Sequence, residues 1–572
     1  MNGAASAFCA GVKPTLLGFA AFALAAARGD VVWNPVADST DLSDAANWYG
    51  DSGAMTFAGD ATVTLSKDWT ADLGDSSMHP GANGLHVVFD LGAENTLTLT
   101  NRFSAQYNNG TMELLSGKIV NAANVSNSDA TPMGYDFSNW NAQRNNNTFR
   151  IKGESAAWEG SMAFNKSTGS RFEVLDGAHF NGGIRWNAST GANILIAGGA
   201  VVTNTHASGA FSPFQGAGSR MVVSNAVLVQ SSGTYAAFGG SARGSALEVL
   251  DGARVICAGR GMSVGGGAAA TDDTVLVSNA FLRVGGSYYC SFKFNGTNNV
   301  FTVDDGGVLW VPGSNNHGGR TGNGTDNAYL GFAASSVGNV LRILSGGVVV
   351  TPTQANASSD AGAESVGIGW GSKFNVGWDQ GSCSNRIEVL GGTARIGVIY
   401  VGGKSETSVG NALVVRDGGY VYAPSLYVAD TNLLGGASFG GRNSVVIGGA
   451  GSQVVTDSAA RFYGASELEF DLAEGAFSKI PLVANRGTLQ FDAGCSLKID
   501  GAKEIAKAGS ATMTLVRRNA GAIALEDGVL EAWNAALAAN GETKSCSLSL
   551  ENGGKDIVLA IASSAATTIT LR

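Results

Sequence analysis

The chain has 572 residues, a formal net charge of -10, 82 glycines, 9 prolines and only 14% charged residues. An acidic balance without any run rich in lysine or arginine argues against nucleic acid and against an anionic membrane surface as partners. Apolar residues make up 44% of the chain, enough to bury a core, and its many glycines are turn formers. The composition therefore predicts an ordered all-β protein.

The N-terminal segment, residues 1–27, is typical of an export signal. Lys13 precedes an apolar run from Leu16 to Ala26, and small residues at the end of this run form a cleavage site before Arg28. The run is shorter than the roughly 20 residues that a membrane span requires. We expect a protein that is secreted or displayed on a bacterial cell surface, without a transmembrane segment after signal removal. The sequence does not name its outer-membrane export partner.

The next segment, residues 28–110, contains short strand-like runs such as ATVTLS and NTLTLT, in which apolar and polar residues alternate. Trp33, Trp48 and Trp69 lie among these runs. We predict that the segment is an N-terminal β cap that covers the open end of the repeat region following it.

The repeat region, residues 111–508, consists of apolar strands separated by glycine turns. LEVLDGARV, VLVSNAFLRV and FTVDDGGVLWV align on Ala253, Ala280 and Gly307, which are 27 residues apart. Two longer steps, of 40 and 45 residues, resemble insertions of 13 and 18 residues into the same unit. A period in the twenties that carries two or three short strands is the signature of a solenoid, in which each unit covers its neighbour's apolar face.

The expected fold is a right-handed parallel β-helix with coils of about 27 residues, capped at both ends. In such a fold Leu247, Val249 and their counterparts stack as an inward aliphatic ladder. Glycine and asparagine at the corners tolerate the left-handed backbone of a sharp turn.

The C-terminal segment, residues 509–572, is predicted to be a second cap with one short helix. Val529, Leu530, Trp533 and Leu537 share a helical face, and Asn540-Gly541 provides a C-terminal stop.

The stretch VVWNPVADSTDLSDAANWYGDSGAMTFAGDATVTL, residues 31–65, resembles the opening of secreted bacterial proteins with autotransporter-associated β-strand repeats. The matching residues are Trp33, Asn47, Trp48, Gly59 and Asp60. The resemblance implies a passenger-type β-helix of the pectin lyase-like kind at the cell surface. Autotransporters end in a membrane β-barrel, whereas we expect none in this chain, which ends ATTITLR.

An enzyme is the alternative, namely a β-helix polysaccharide lyase or glycoside hydrolase acting on acidic polysaccharide. Its candidate residues are the pairs Asp272-Asp273 and Asp304-Asp305, together with Arg150 and Lys152. Adjacent residues on a strand point to opposite faces, so neither pair can act jointly unless it lies in a turn. We interpret them as turn carboxylates without a catalytic role.

Histidines and cysteines do not indicate a metal site or a cofactor. The five histidines are scattered singly, and the five cysteines that follow the signal are widely separated. The pattern predicts neither a zinc site, nor a disulfide framework, nor a Ser/His/Asp arrangement.

The glycine-rich stretch GIGWGSKFNVGWDQG, which we interpret as an inserted loop, carries aromatic residues of the kind on which sugar rings stack, and so does the stretch SYYCSFKF. The ligand-binding candidates are Trp370, Phe374, Trp378, Tyr288 and Tyr289. The other interpretation is that these rings cover the core where a coil bulges. We predict a non-catalytic β-solenoid for adhesion, matrix or glycan contact, with a polysaccharide or cell-surface glycan as partner.

Overall fold

The computed structural model describes residues 31–33, 39–49, 55–72, 78–100, 103, 107–121, 134–136, 145–165, 167–187, 190–204, 216–230, 235–238, 243–257, 261–265, 270–284, 291–311, 327–330, 336–351, 373–435 and 437–563. The expected export signal, residues 1–27, lies outside these ranges, so it stays a prediction. No helix within the described ranges has both the length and the hydrophobicity to cross a membrane.

The first of two units, Met1–His206, is built from short strands separated by turns. The elements described in it are β1 (Val31–Trp33), a 3-10 turn (Ala45–Asn47), β2 (Trp48–Tyr49), β3 (Met55–Phe57), β4 (Ala61–Val63), β5 (Trp69–Ala71), β6 (Met78–Pro80), β7 (His86–Asp90), β8 (Thr96–Leu99), β9 (Thr111–Asn121), β10 (Gly134–Asp136), β11 (Thr148–Lys152), β12 (Ala156–Glu159), β13 (Ser161–Asn165), β14 (Arg171–Leu175), β15 (His179–Asn181), β16 (Ile184–Asn187), β17 (Asn193–Ala197) and β18 (Val201–Asn204).

The second unit, Ala207–Arg572, repeats this organisation and adds two helices near its C-terminus. The elements described in it are β19 (Arg220–Ser224), β20 (Val227–Gln230), β21 (Tyr235–Phe238), β22 (Ala246–Leu250), β23 (Arg254–Cys257), β24 (Gly261–Val264), β25 (Thr274–Ser278), β26 (Phe281–Val284), β27 (Ser291–Phe294), β28 (Val300–Asp304), β29 (Val308–Trp310), β30 (Asn327–Leu330), β31 (Val340–Ile343), β32 (Val348–Val350), β33 (Lys373–Val376), β34 (Arg386–Leu390), β35 (Thr393–Arg395), β36 (Val398–Val401), β37 (Ala412–Arg416), β38 (Tyr420–Val428), a 3-10 turn (Thr431–Leu434), β39 (Asn443–Gly448), β40 (Gln453–Phe462), β41 (Ser466–Asp471), β42 (Leu482–Ala484), β43 (Thr488–Phe491), β44 (Ser496–Asp500), α1 (Ala502–Ala508), β45 (Ala511–Arg518), β46 (Ala524–Leu525), α2 (Val529–Ala539), β47 (Cys546–Glu551) and β48 (Asp556–Ile561).

Most strands pair in parallel with the strand that occupies the same place one turn of the chain later. In the second unit we call the first stack the series β19, β22, β25, β28, β31, β34, β37, β39, β41 and β44. Further parallel series run from β20 to β45 and from β21 to β46. The fold is all-β with many parallel strands, which is consistent with a β-solenoid.

The inward ladder expected from alternation is confirmed. Leu247 pairs with Val275, and Val275 pairs with Phe301, while Val249 pairs with Val277. All five side chains are at most 2% exposed. Each fully buried side chain of this size contributes about 1.5–3 kcal/mol, so repetition along the stack supplies the main stabilising term.

The corner after each first-stack strand has the left-handed backbone that the glycine-rich turns predict. Asp251 and Asp417 have φ angles of 55° and 56°. Gly419, two residues after Asp417, is required for a different reason. A Cβ at this position would collide with the carbonyl oxygen of Val389 one coil earlier. Here glycine permits the close approach of two coils.

The parallel ladder begins N-terminal to the expected start of the repeats at residue 111. β4 pairs with β7, and β7 pairs with β9. Beside it, β2, β1, β3 and β6 form a small sheet in which β2 is antiparallel. Trp48 lies 5.1 Å from Trp33 and 6.4 Å from Trp69 between ring centroids, so the three tryptophans form one cluster.

The interior of the first unit is dominated by aromatic rings. A continuous series of ring contacts, with centroid distances of 5.0 to 6.3 Å, runs through Trp33, Phe57, Phe89, Phe103, Trp158, Phe149, Phe172 and Phe180. Each of these side chains is at most 5% exposed. Edge-to-face pairs are common among them, a geometry that adds about 0.5–1.5 kcal/mol per pair to the burial term.

The C-terminal end of the second unit departs from the parallel pattern. β48 is antiparallel to both β45 and β47. The predicted helix is confirmed as α2, where Val529, Trp533 and Leu537 are buried and Asn540 is the C-cap. α1, a seven-residue helix, was not predicted and lies before residue 509.

A side chain of α2 forms hydrogen bonds with the main chain of the outer strand β47. The Asn534 amide donates to the Leu548 carbonyl oxygen at 3.0 Å, and the Leu548 N–H donates to Asn534 Oδ1 at 2.7 Å. The side chain therefore satisfies both main-chain groups of Leu548 on the edge of the sheet.

Candidate functional site

An open groove of about 630 Å³ lies on the outer surface of the second unit, across the first-stack strands β34, β37 and β39. These three strands are hydrogen-bonded neighbours. The lining residues are Arg386, Glu388, Leu390, Gly410, Ala412, Val414, Arg416, Asp417, Ser444, Val446 and Glu474.

The groove exists because the outward side chains of adjacent strands differ in size. Residues alternate between the interior and the outer surface along a strand, so the outward positions determine the surface relief. β34 places Arg386 and Glu388 outward. At the paired positions β37 has only Ala412 and Val414, which leaves a low apolar floor beside a tall charged wall.

The charged groups around this floor are already engaged with one another. Arg342 Nε donates to Glu388 Oε2 at 2.8 Å, and Arg386 Nη1 lies 3.9 Å from Glu388 Oε1. Arg416 Nη2 lies 2.9 Å from Asp471 Oδ2. The arginine side chains of these pairs are 38% to 51% exposed, so their guanidinium groups can also bond a ligand, whereas Glu388 and Asp471 are mostly buried.

The remaining carboxylates of the groove, Asp417 and Glu474, are exposed. A general acid that cleaves a glycosidic bond needs a pKa raised towards neutral, which enzymes achieve mainly by burial. Neither residue has such surroundings. The arrangement offers hydrogen-bond donors, acceptors and an apolar floor, which suits binding better than bond cleavage.

A buried row of amides holds the three groove strands in register. Asn385 and Asn411 directly precede β34 and β37, Asn443 is the first residue of β39, and all three are fully buried. Asn411 Oδ1 accepts from the N–H and from Nδ2 of Asn385, both at 3.1 Å. Asn443 Oδ1 accepts from Asn411 in the same way, again at 3.1 Å.

This row continues towards the N-terminus of the unit, and we call it the amide ladder. Its rungs are Asp273, Asn299, Asn339, Asn385, Asn411 and Asn443. Satisfied polar networks in a low-dielectric interior are strong and directional, so they specify register. The ladder was not predicted from the sequence, although Asn or Asp immediately before β25, β28, β31, β34 and β37 is a visible signal.

Among the aromatic candidates, Trp370, Tyr288 and Tyr289 lie outside the described residues. Their role in ligand binding stays a prediction.

Phe374 requires a correction, because the structure places it in the interior. It is fully buried, and its ring centroid lies 6.4 Å from that of Phe292. The residue belongs to β33 and pairs with Ile399 of β36, which is also fully buried. Its ring cannot present a face to a sugar, so the alternative interpretation, that of an aromatic covering the core, holds for this residue.

Trp378 follows β33 and is half-buried. The ammonium group of Lys404 lies over its ring, 4.8 Å from the centroid. A cation–π contact at a partly exposed site contributes about 0.5–1 kcal/mol and orients the ring. Of the five aromatic candidates, Trp378 is the one that the structure places at the surface.

Two tyrosines that were not predicted as ligand-binding residues lie on the outer surface of β36 and β38. Tyr400 and Tyr427 stack with centroids 5.1 Å apart and ring planes at 21°. Burial raises the pKa of Tyr400 to about 12. Because each ring covers a face of the other, the pair presents edges and hydroxyl groups to a ligand.

The carboxylate pair of the enzyme alternative, Asp272 and Asp273, is divided by the fold. Asp272 is exposed in a left-handed turn, with φ of 59°. Asp273 is 2% exposed in the amide ladder. The two side chains cannot act on one substrate from these positions.

The second carboxylate pair lies at a strand end and in the turn after it, and the two basic candidates form ion pairs. Asp304 is half-buried at the end of β28, and Asp305 is exposed in the following turn. Arg150 bonds Glu173 at 2.6 Å and Glu113 at 3.3 Å, whereas Lys152 lies 3.8 Å from Asp176.

Within the described ranges, no group of three or more His, Cys, Asp or Glu side chains could hold a metal ion.

Searches against protein-family models, curated proteins and solved structures found no match. The resemblance to proteins with autotransporter-associated repeats therefore stays a prediction.

Proposed function

We propose that this protein is a non-catalytic, secreted or cell-surface β-solenoid that contacts a glycan through the groove on its first stack. The chain is further proposed to be a right-handed parallel β-helix with coils of about 27 residues. On this proposal, the tryptophan-rich N-terminal sheet and the C-terminal antiparallel strands with α2 cover its ends. An outer-surface role is compatible with the predicted export signal and with the resemblance to passenger-type proteins.

The observation that supports glycan contact is the chemical character of the groove. Val414 and Ala412 form a flat apolar floor, and charged side chains stand beside it. A sugar ring has an apolar C–H face and a rim of hydroxyl groups, which both donate and accept hydrogen bonds. Guanidinium groups can donate to that rim and carboxylates can accept from it.

The alternative of a polysaccharide-cleaving enzyme is less well supported. Every carboxylate in the described part of the groove is either paired with an arginine, as Glu388 is, or exposed, as Asp417 and Glu474 are. Catalysis by a carboxylate pair requires two environments that separate the pKa values of the pair.

The proposal is tested by incubating the exported chain with plant, algal and host glycans while recording both retention and the release of new reducing or unsaturated ends. We expect retention without release. Val414→Trp should fill the floor and abolish retention, and Arg386→Ala should weaken it about tenfold, the effect of one charged hydrogen bond.

The matched controls lie on the same stack away from the groove. Val222→Trp is also outward on a first-stack strand, and Arg220 is 54% exposed in an ion pair with Glu248. Both Val222→Trp and Arg220→Ala should bind like the parent. Product release, or equal loss in groove and control variants, would contradict the proposal. Trp378→Ala measures whether the half-buried indole after β33 also adds to binding.

A further inference from the structure

The amide ladder has a direction, and one rung does not fit its chemistry. From Asn299 to Asn411, Oδ1 of each rung accepts the N–H of the preceding rung while Nδ2 donates to Oδ1 of the next rung. Asn339 illustrates this, because its Nδ2 donates to Asn385 Oδ1 at 2.9 Å and its Oδ1 accepts from Asn299 Nδ2 at 3.0 Å. Nδ2 of the last rung, Asn443, donates to the Ser408 carbonyl oxygen instead. The pattern needs a donor at every rung.

Asp273 occupies a rung without having that donor. Its Oδ1 accepts the Ser245 N–H at 2.9 Å, and its own N–H donates to Asn299 Oδ1 at 2.8 Å, as in the asparagine rungs. Its Oδ2 takes the place of an amide nitrogen. This oxygen is buried, and no described residue forms a hydrogen bond with it.

The neighbouring rung cannot turn its amide to supply the missing donor. Asn299 Nδ2 donates to the Asn295 carbonyl oxygen at 2.6 Å and to Asn339 Oδ1 at 3.0 Å. Reversing the amide would break both bonds. Asn299 Oδ1 therefore stays an acceptor, facing a carboxyl group that has no proton to donate when it is ionised.

We propose that Asp273 is a proton-dependent rung, which completes the amide ladder when its Oδ2 is protonated and leaves it interrupted when the carboxylate is ionised. In the protonated form, Oδ2–H donates to Asn299 Oδ1, the acceptor that Nδ2 of an asparagine would use. In the ionised form, a buried charged oxygen has no donor and lies near another oxygen. The proposal concerns the stability of the solenoid and does not depend on glycan binding.

The titration behaviour of the site agrees with this geometry. Burial raises the pKa of Asp273 from 3.8 to about 6; the Ser245 N–H opposes the shift, and the charge of Asp272 adds to it. The adjacent coils contribute Ser245 and Asn299, which are neutral. Arg243, on the turn before Ser245, is exposed.

The direction of the pH effect follows from the raised pKa. Below pH 3.8 the carboxyl group is protonated in both the folded and the unfolded chain. Between pH 3.8 and about 6 the unfolded chain loses the proton while the folded chain keeps it, so the folded state loses relative stability as the pH rises. The coils around Asp273 should be most stable in acid, lose stability as the pH rises from 3.8 to about 6, and stay at the lower stability above that pH.

Hydrogen exchange of the Ser245 amide, which bonds Asp273 directly, tests the proposal. Protection should be compared between the parent chain and Asp273→Asn, which restores a permanent donor, from pH 4 to pH 8. We expect the ratio of protection, variant over parent, to rise on the order of 100-fold across this range, because each unit of pKa shift is a tenfold change.

Asp272→Asn is the matched control, since it removes the adjacent exposed carboxylate and asparagine tolerates the same left-handed turn. It should leave most of the pH dependence in place. A ratio for Asp273→Asn that does not change with pH would overturn the proposal. A pH dependence that Asp272→Asn removes entirely would assign the effect to the exposed turn and would overturn it as well.

Discussion

The interiors of the two units differ although their strands pair in the same way. In the first unit, interlocking rings such as Phe149, Phe172 and Trp158 fill the space between the stacks. In the second unit, the first-stack interior is mainly aliphatic, and the amide ladder runs along its corner. The first unit has a single asparagine at the corresponding place, Asn147, followed by Ser170 one coil later.

The difference shows two ways of keeping parallel coils in register. Branched aliphatic side chains are similar in shape from coil to coil, so they permit several registers at similar energy. Aromatic rings restrict register through their shapes, whereas amides restrict it through directional hydrogen bonds. We infer that rings specify the stacking in the first unit and that the ladder does so in the second.

The largest expected effect comes from removing a ring in the first unit. Phe172 is fully buried between Phe149 and Phe180, and Phe172→Ala should cost about 3–5 kcal/mol of unfolding free energy. Hydrogen exchange should accelerate in β11, β14 and β17. His179→Ala, at an exposed position of the same coil, should have almost no effect. Equal acceleration in both variants would show that the ring is not a determinant of this unit.

The next effect comes from removing a rung in the second unit. Asn385→Ala removes the acceptor of the Asn339 N–H and of one Nδ2 proton, while the other Nδ2 proton keeps its bond to the Gly296 carbonyl oxygen. Two buried N–H groups without an acceptor should cost about 2–4 kcal/mol. Denaturant unfolding followed through β31 and β34 measures this loss. Asn193, the exposed first residue of β17, provides the control as Asn193→Ala. A loss below that of Phe172→Ala but well above that of the control would support the comparison, whereas a loss equal to the control would refute it.

The smallest effect is expected at the lone asparagine of the first unit. Among the described residues, Asn147 Oδ1 accepts only the Gly110 N–H, at 2.8 Å, and none of them bonds its Nδ2. Asn147→Ala should therefore cost about 1–2 kcal/mol, measured by the same unfolding experiment. A loss as large as that of Asn385→Ala would mean that both units depend on amides to the same degree.

Much of the fold could be predicted from the sequence, because alternation and turn chemistry are local signals. Leu247 and Val249 were assigned correctly to the interior, and α2 was assigned from the spacing of Val529, Trp533 and Leu537. The short helix α1 was missed, since its seven residues follow the left-handed Gly501 without a side-chain cap.

The groove and the inward orientation of the Phe374 side chain could not be predicted from such local signals. The relief of the groove depends on residues one coil apart, such as Glu388 and Val414, and the paired positions are known only after the coils are aligned. Phe374 lies in a glycine-rich stretch that was interpreted as an inserted loop, but residues 373–376 form β33. The amide ladder could have been found, because its asparagines precede successive strands.

The contact between Asn534 and Leu548 has a consequence for assembly. A stack of parallel strands is a template to which another chain could add by hydrogen bonding, and nothing in the repeat itself limits its growth. By bonding both main-chain groups of Leu548, the side chain of Asn534 imitates one residue of a further strand. A chain that approached this edge would have to displace an intramolecular partner before it could bond the main chain of Leu548.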